Sequence, residues 1–580
     1  MWLLRIIAVV ALIPLGLCLS QEQDQVPLRY GHQHDSTDTD NIDNNPLDEF
    51  FNRKVDWALE HYHIPGLAIS IVQNGTTFAK GYGTSNLTAS TPTAPSTLFF
   101  GGSTTKAHIA AAITLLVDDN DLYPHVQWNT PVHELLPDFT LSDTSYTAQV
   151  TIADMLSHRT GLPRHDFVLM QNLTKRDVLH KLRYLPLTRP IRSGFQYCNL
   201  MYIVAGYLVE TVTGKALEVF LKENLWGVLG MNGTFFDLDA ARNSGFTVSE
   251  GYWFDNTTGK PEGEIRSTGN TYNPSLTGAG NILTSASDYA KWMAALLPSP
   301  GHPSEGPISV NGYNALFGAH SIVTQWPYTP YTSPHLYGLG WMLQSYRGET
   351  IISHDGAQDG FGAAVYLLPN RGFGVSILGN NMVGTGAAAP ILVFELVDRL
   401  LRVEEGERFD WAGVIDSGLQ TGKLTNETLD ALYPHLPERD SLLPLPLNLS
   451  SYSGLYSHPA YPTLNISSSC PSPLSSPSQN NPNPPSKWKW TGARLCGSFG
   501  DTIPLTSDMD LVFDFIHVTG TYWVLVMELG GMADAIRVEF RIGPEGAVRE
   551  VGVEFEGAMR EDAGKIWFGK DGEDENEKNE

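Results

Sequence analysis

Ser103 and Lys106 stand three residues apart in the run Leu98-Phe-Phe-Gly-Gly-Ser103-Thr-Thr-Lys106, where an extended segment gives way to a helix beginning near Thr104. Residues three apart on a helix share a face, so the hydroxyl and the amine would touch. A serine hydroxyl is a weak nucleophile until a neighbour takes its proton. A lysine held in an apolar pocket loses basicity and can take it. The helix start adds backbone N–H groups for an oxyanion. Alone, the spacing proves little, because a capping serine followed by an exposed lysine has the same pattern.

Two further runs change its weight. Ser193-Gly-Phe-Gln-Tyr197-Cys-Asn199 precedes the apolar helix Leu200 to Leu208. It offers a phenol and an amide two residues apart. Beside a lysine cation the phenolate form of Tyr197 is expected to be accessible. It would then serve as general base for Ser103 and general acid for the leaving group. Asn199 would bond Lys106 and a substrate amide or ester. Downstream, Ile351-Ile-Ser-His354-Asp-Gly356-Ala357 is an apolar strand that delivers a histidine, then a glycine that admits close approach of another backbone. The Ala357 N–H is the expected second oxyanion donor beside that of Ser103. Each run has an ordinary structural explanation taken singly: a packed tyrosine with a capping asparagine, and a strand end with an exposed histidine.

In this order the three runs resemble the serine β-lactamase/DD-peptidase superfamily, whose set is Ser-x-x-Lys, then Tyr-x-Asn, then Lys-Thr-Gly or His-x-Gly. Other stretches are similar to its class C-like branch: Val150 to Pro163, Gly206 to Glu210, Trp226 to Met231 and Gly278 to Asp288. The likeness covers about Phe50 to Leu401. It implies Ser103, Lys106, Tyr197 and His354 as catalytic residues, Asn199, Gly356 and Ala357 as substrate-binding ones, and neither metal nor organic cofactor. His354 stands where β-lactamases carry a lysine. A largely neutral imidazole replaces a permanent cation, as in esterase, D-aminopeptidase and acyltransferase members. Cys198 and Arg159 also depart from the commoner residues.

The elements around these runs fit that fold. Apolar residues at helical spacing run from Leu47 to His61. Gly66 to Gly75 reads as a strand ending in an Asn-Gly turn, with Thr76 to Gly83 as its hairpin partner. Helical stretches such as Ile109 to Val117 and Tyr202 to Val212 fill the middle. Strands return from Leu336 to Asn380, with a turn at Pro369 to Gly372, and Ile391 to Leu401 reads as a closing helix. The expected architecture is α/β (α+β): one antiparallel sheet built from both ends of residues 47–402, with a helical insertion. Residues 403–448 read as a linker. Residues 449–568 read as a small β domain, similar at Tyr452 to Tyr461 to the lipocalin-like domain often appended to such enzymes. Within it 467–486 is rich in Ser, Pro and Asn and is expected to be disordered. Residues 569–580 form an acidic tail.

The 580-residue chain has room for two or three domains. Its formal net charge of −26 repels phosphate, which excludes nucleic acid as a partner. Arg5 and the apolar run Ile6 to Leu17 predict a signal peptide over 1–20, the alternative being an uncleaved anchor for which the run is short; the expectation is a secreted, extracellular protein with no stable membrane insertion after cleavage. Residues 21–46 read as a polar disordered segment, His32 and His34 included. Asn-x-Ser/Thr acceptors at Asn74, Asn86, Asn172, Asn232, Asn256, Asn426, Asn448 and Asn465 fit glycosylation. Cys470 and Cys496 are a candidate disulfide, and Cys198 reads as a buried small hydrophobe.

No Gly-x-Ser-x-Gly elbow occurs, which argues against an α/β-hydrolase. His61 and His63 form an isolated pair without zinc spacing. The expectation is therefore a secreted serine hydrolase working through an acyl-enzyme on an ester or amide, with a small molecule or peptide as substrate. An acyltransferase or esterase of a secondary-metabolite pathway would share every one of these residues. A non-catalytic binding protein would keep only the fold.

Overall fold

In the computed structural model the described residues are 45–255, 264–268, 272–297, 306–420, 431–436, 441–470, 493–500, 502, 512–529, 532–555 and 564–571. The expected signal peptide, nearly all of the polar segment after it, most of the 467–486 stretch, most of the acidic tail, Asn256 and Asn426 lie outside them.

Asp48 caps the first helix, α1 (Glu49–His61), by accepting from the Phe51 N–H. The chain then enters β1 (Gly66–Gln73), all of whose residues are buried, and returns as β2 (Thr76–Asn86) and β3 (Thr91–Pro92). Asn74 and Gly75 make the turn with positive φ. After the helical region come β4 (Ser321–Ile322), β5 (Leu336–Tyr337), β6 (Met342–Tyr346), β7 (Glu349–Gln358), β8 (Phe361–Leu368) and β9 (Phe373–Gly379). These nine strands form one antiparallel sheet in the order β3-β2-β1-β9-β8-β7-β6-β5-β4. β1 joins the late strands through β9, with Leu67 opposite Gly379 and Gln73 opposite Phe373. The two ends of the segment thus build one sheet, as their strand patterns predict.

The sheet separates two cores. One face packs on α1 and α6 (Met382–Leu400), with Phe51, Tyr346, Tyr366 and Phe394 at its centre. The other carries the helical region: α2 (Thr105–Asp118), α3 (Lys175–Lys181), α4 (Asn199–Thr213) and α5 (Ala286–Leu296). α2 and most of α4 are buried on every side within this layer, α4 as far as Val209 except at Tyr207. α6 begins nine residues earlier than its sequence pattern suggests. Pro390 lies inside α6, where its ring removes one hydrogen bond and packing holds the helix together. Residues 411–420 form a helix whose Trp411 stacks on Phe394 with ring centres 4.1 Å apart.

Eight strands then close a barrel: β10 (Gly454–Ser457), β11 (Leu464–Ser467), β12 (Arg494–Phe499), β13 (Val512–Thr519), β14 (Tyr522–Leu529), β15 (Met532–Ile542), β16 (Val548–Val553) and β17 (Ile566–Lys570). Tyr452, Trp523 and Phe540 fill its middle, and Phe499, Phe513, Phe555 and Phe568 its end, with neighbouring ring centres 5.0–6.1 Å apart. An eight-stranded barrel is just wide enough for such a side-chain core. Cys470 and Cys496 are joined as a disulfide. Cys198 is buried and lies outside the disulfide, as expected for a small hydrophobe.

Phe394 touches Tyr346, Tyr366 and Trp411 at once. Phe394→Ala is expected to cost about 3–5 kcal/mol, read as a lowered midpoint of denaturant unfolding of the full chain.

Candidate active site

The turn that carries Ser103 is held on both sides. Phe99–Phe100 pair with Leu283–Thr284, and the Gly101 N–H donates to the Ile282 carbonyl at 2.7 Å. A 3-10 turn over Gly102–Thr104 then leads into α2. The Thr105 hydroxyl donates to the Gly102 carbonyl at 2.7 Å. The end of β7 lies against this turn, backbone on backbone. A Cβ on Gly356 would fall 1.9 Å from the Gly101 oxygen, and one on Gly102 would fall 2.6 Å from the Ala357 nitrogen. Gly102 also has φ of +51°. Two glycines thus bring the Ala357 amide beside Ser103.

Ser103 is 7% exposed and Lys106 is wholly buried. The Lys106 Nζ lies 3.0 Å from Ser103 Oγ, 2.8 Å from Asn199 Oδ1 and 2.8 Å from the Ala279 carbonyl oxygen. The last two atoms can only accept. A neutral amine has two N–H donors for them and one lone pair left, facing the serine hydroxyl. Burial drives the Lys106 pKa well below the ordinary lysine value, and the Arg164 cation drives it further; Asp166 opposes both.

Tyr197 closes the other side. Its ring centre lies 4.8 Å from Lys106 Nζ and 4.8 Å from the Arg164 guanidinium carbon. Its hydroxyl lies close enough to Ser103 to be affected by it, without a well-aligned hydrogen bond. Here the structure corrects the sequence expectation. Burial raises the phenol's pKa, outweighing the opposing pulls of Arg164 and Ser103. A phenolate is therefore disfavoured in the free protein. The proximity of a lysine promised one, but that lysine is too deeply buried to hold its own charge well.

His354 lies in the same cluster, 6.4 Å from Tyr197 between ring centres. Its Nδ1 donates to the Asp355 carbonyl at 2.7 Å, so its Nε2 accepts from the Tyr337 hydroxyl at 3.0 Å. Burial first, and Lys106 second, push its pKa down to about 3. His354 is neutral with both nitrogens engaged. Asp355 alternates to the back face of β7, where burial beside Tyr366 pushes its carboxyl up to about 7.

Several contributing residues lie outside the three motif runs. His158 accepts from the Cys198 N–H at 3.0 Å and packs on Tyr197 with ring centres 4.3 Å apart, fixing the backbone between Tyr197 and Asn199. Asn199 Nδ2 donates to Asp166 Oδ1 at 2.9 Å, and Asp166 Oδ2 accepts from Arg164 Nε at 2.6 Å. The amide of Asn199 is thereby oriented with its oxygen toward Lys106. The charged pair Arg164/Asp166 inside an otherwise apolar run was the available signal. Ala279 acts through its carbonyl, which no side-chain pattern announces. Among the described residues no group of three or more His, Cys, Asp or Glu is placed to hold a metal ion. Of the acceptor asparagines, Asn74, Asn172, Asn232, Asn448 and Asn465 are exposed, and Asn86 is half-buried.

Residues 51–397 match the Beta-lactamase family. The chain belongs to that family. It is 36% identical over 536 residues to "Unguisins hydrolase ungD'" of Aspergillus campestris, covering 91% of this chain and 93% of the relative. To "Unguisins hydrolase ungD" of Aspergillus violaceofuscus it is 33% identical, covering 92% of each. Its fold is similar to that of the octameric penicillin-binding protein homologue from Pyrococcus abyssi, with a TM-score of 0.54, 17% identity, and 90% and 99% of the two chains covered. This β-lactamase family chain thus has the fold of a hydrolase family together with a closed C-terminal barrel.

Burial also holds several histidines neutral. His108 and His354 are pushed down to about 3, His165 and His335 to about 4, from the ordinary 6.5. A group whose folded pKa is depressed gives stability above its unfolded pKa and loses it as pH falls toward the folded value. Asp355, raised to about 7, acts in the opposite sense, one group against these four and the likewise depressed His158 and His458. Stability is therefore expected to fall as pH drops from about 6.5 to about 4, read as a progressive loss in melting temperature across that window.

Proposed function

We propose that this protein is a serine hydrolase that cleaves an ester or amide through an acyl-enzyme on Ser103. The observation that carries the reading is the buried Lys106 amine, 3.0 Å from Ser103 Oγ, whose other two partners can only accept. The neutral amine takes the serine proton as Oγ attacks the substrate carbonyl. The backbone N–H groups of Ser103 and Ala357 receive the oxyanion. Tyr197, kept protonated by burial, supplies the proton to the leaving group and recovers it through Lys106. Water then attacks the ester of Ser103 and releases the acid. His354 adds no positive charge, which favours substrates that do not need a carboxylate-binding cation. Two relatives spanning nine tenths of the chain bear the name unguisins hydrolase. A substrate of that kind, and hydrolysis rather than acyl transfer, is the reading they favour.

Ser103→Ala is expected to abolish labelling by a fluorescent fluorophosphonate. Lys106→Arg, which keeps the charge but cannot lose a proton, is expected to slow labelling by at least about a thousandfold. The wild-type labelling rate should climb with pH and reach its plateau well below pH 10.5, the ordinary lysine value, with no inflection from His354 near 6.5. Labelling of Ser103→Ala at the wild-type rate would sink the assignment.

We propose also that the protein is secreted and glycosylated. The apolar segment near the N-terminus, the Cys470–Cys496 disulfide and the exposed acceptor asparagines support this. Protein secreted from a fungal host should shift to lower mass on treatment with an N-glycosidase; an unchanged mass would remove the glycosylation.

A further inference from the structure

Among the described residues the barrel meets the catalytic domain at the loop 164–171 and at Lys181 of α3, and that loop holds Asp166, a partner of Asn199. Side chains alternate along it. Arg164 and Asp166 point toward Tyr197 and Asn199, while His165 and Phe167 point toward the barrel. His165 is fully buried with φ of +50°, a left-handed turn that lets its two neighbours face the same way. Its Nε2 donates to the Pro186 carbonyl at 3.1 Å. Its Nδ1 therefore accepts from the Tyr461 hydroxyl at 2.7 Å, across the domain boundary. Tyr461 is itself fixed in the barrel by stacking on Phe555, 5.6 Å between ring centres. Phe555 also meets Phe167 at 4.7 Å. Two further bonds flank the contact: Gln171 Nε2 to the Ala460 carbonyl at 2.8 Å and Lys181 Nζ to the Pro459 carbonyl at 3.1 Å.

We propose that Tyr461 is a positioning residue for the active site, acting through His165 on Asp166 and from there on Asn199 and Lys106. The chain of contacts runs from the Tyr461 hydroxyl to the His165 ring, along one peptide bond to Asp166, and through the Asn199 amide to the Lys106 amine. Asp166 fixes which end of Asn199 faces the lysine. A misplaced Asp166 would let the amide turn, and an N–H group would then face the amine in place of the oxygen. The barrel on this view is a buttress for the proton-accepting group rather than a container, in keeping with its filled interior.

The kinetic arm of the test rests on the acyl-enzyme reading, and a second arm does not. Tyr461→Phe removes one hydroxyl and keeps the stacked ring. It is expected to slow fluorophosphonate acylation of the full chain about tenfold, the rate equivalent of one lost buried hydrogen bond. Lys181→Met breaks a neighbouring bond at the same boundary without touching Asp166, and should stay within about twofold of wild type. On an Asp166→Asn background, Tyr461→Phe should add less than about twofold. In parallel, amide hydrogen exchange in Tyr461→Phe should quicken over 164–168 and at the first turn of α4, with Lys181→Met, whose other partner is Gln171, unchanged there. Equal slowing by both single variants would mean general domain docking and overturn the proposal. So would additivity with Asp166→Asn, or wild-type exchange in Tyr461→Phe. Wild-type protein that never labels would overturn the acyl-enzyme reading alone, and the exchange result would still decide the role of Tyr461.

Discussion

The site depends on keeping one lysine amine where water does not reach it. In water a lysine side chain stays an ammonium, which has no lone pair to take a proton from serine. Behind α2 and α4 it loses its hydration and gains two fixed acceptors, Asn199 Oδ1 and the Ala279 carbonyl. These satisfy a neutral amine fully, and they leave its lone pair toward Ser103. The same burial that lowers the amine's pKa raises that of the Tyr197 phenol and lowers that of the His354 imidazole. One physical condition, burial, thus bears on three titratable groups, and on the proposed mechanism it suits them to complementary tasks: a base, an acid and an uncharged wall.

Desolvation of this kind demands precise enclosure, and the enclosure comes from three directions. The sheet delivers β7, whose glycine lets its backbone press on the Ser103 turn. The helical layer delivers α4 with Asn199 at its start and His158 holding the preceding backbone. The loop at Arg164–Asp166 closes the third side, with the barrel behind it. Arg164 sits over Tyr197 and pulls both the lysine and the phenol downward, so a single cation favours the base form of one and the acidity of the other.

Much of this was legible in the order of residues. The three motif runs are local, and local spacing on a helix start or strand end survives folding, so Ser103, Lys106, Tyr197, Asn199 and His354 could be named and are found together. The two-ended sheet followed from strand patterns at both ends of the segment. The protonation state of Tyr197 was not legible, because burial is a property of the assembled layers and not of any neighbour in sequence. Nor was the role of Arg164 and Asp166, whose direction depends on the left-handed turn at His165. The start of α6 was obscured because Pro390 looks like a boundary until tertiary packing is known to carry the helix across it.

The pairing of β1 with β9 has a consequence for how the protein is made. Leu67 meets Gly379, so the early hairpin has no partner for its inner edge until almost the whole catalytic segment has been synthesised. Contacts so distant in sequence close slowly and leave apolar strand surface exposed meanwhile. β7 and the Ser103 turn are likewise separated by the entire helical layer. No partial chain lacking β7 can bring the Ala357 amide beside the Ser103 turn, so the cluster stays unassembled until the late strands arrive.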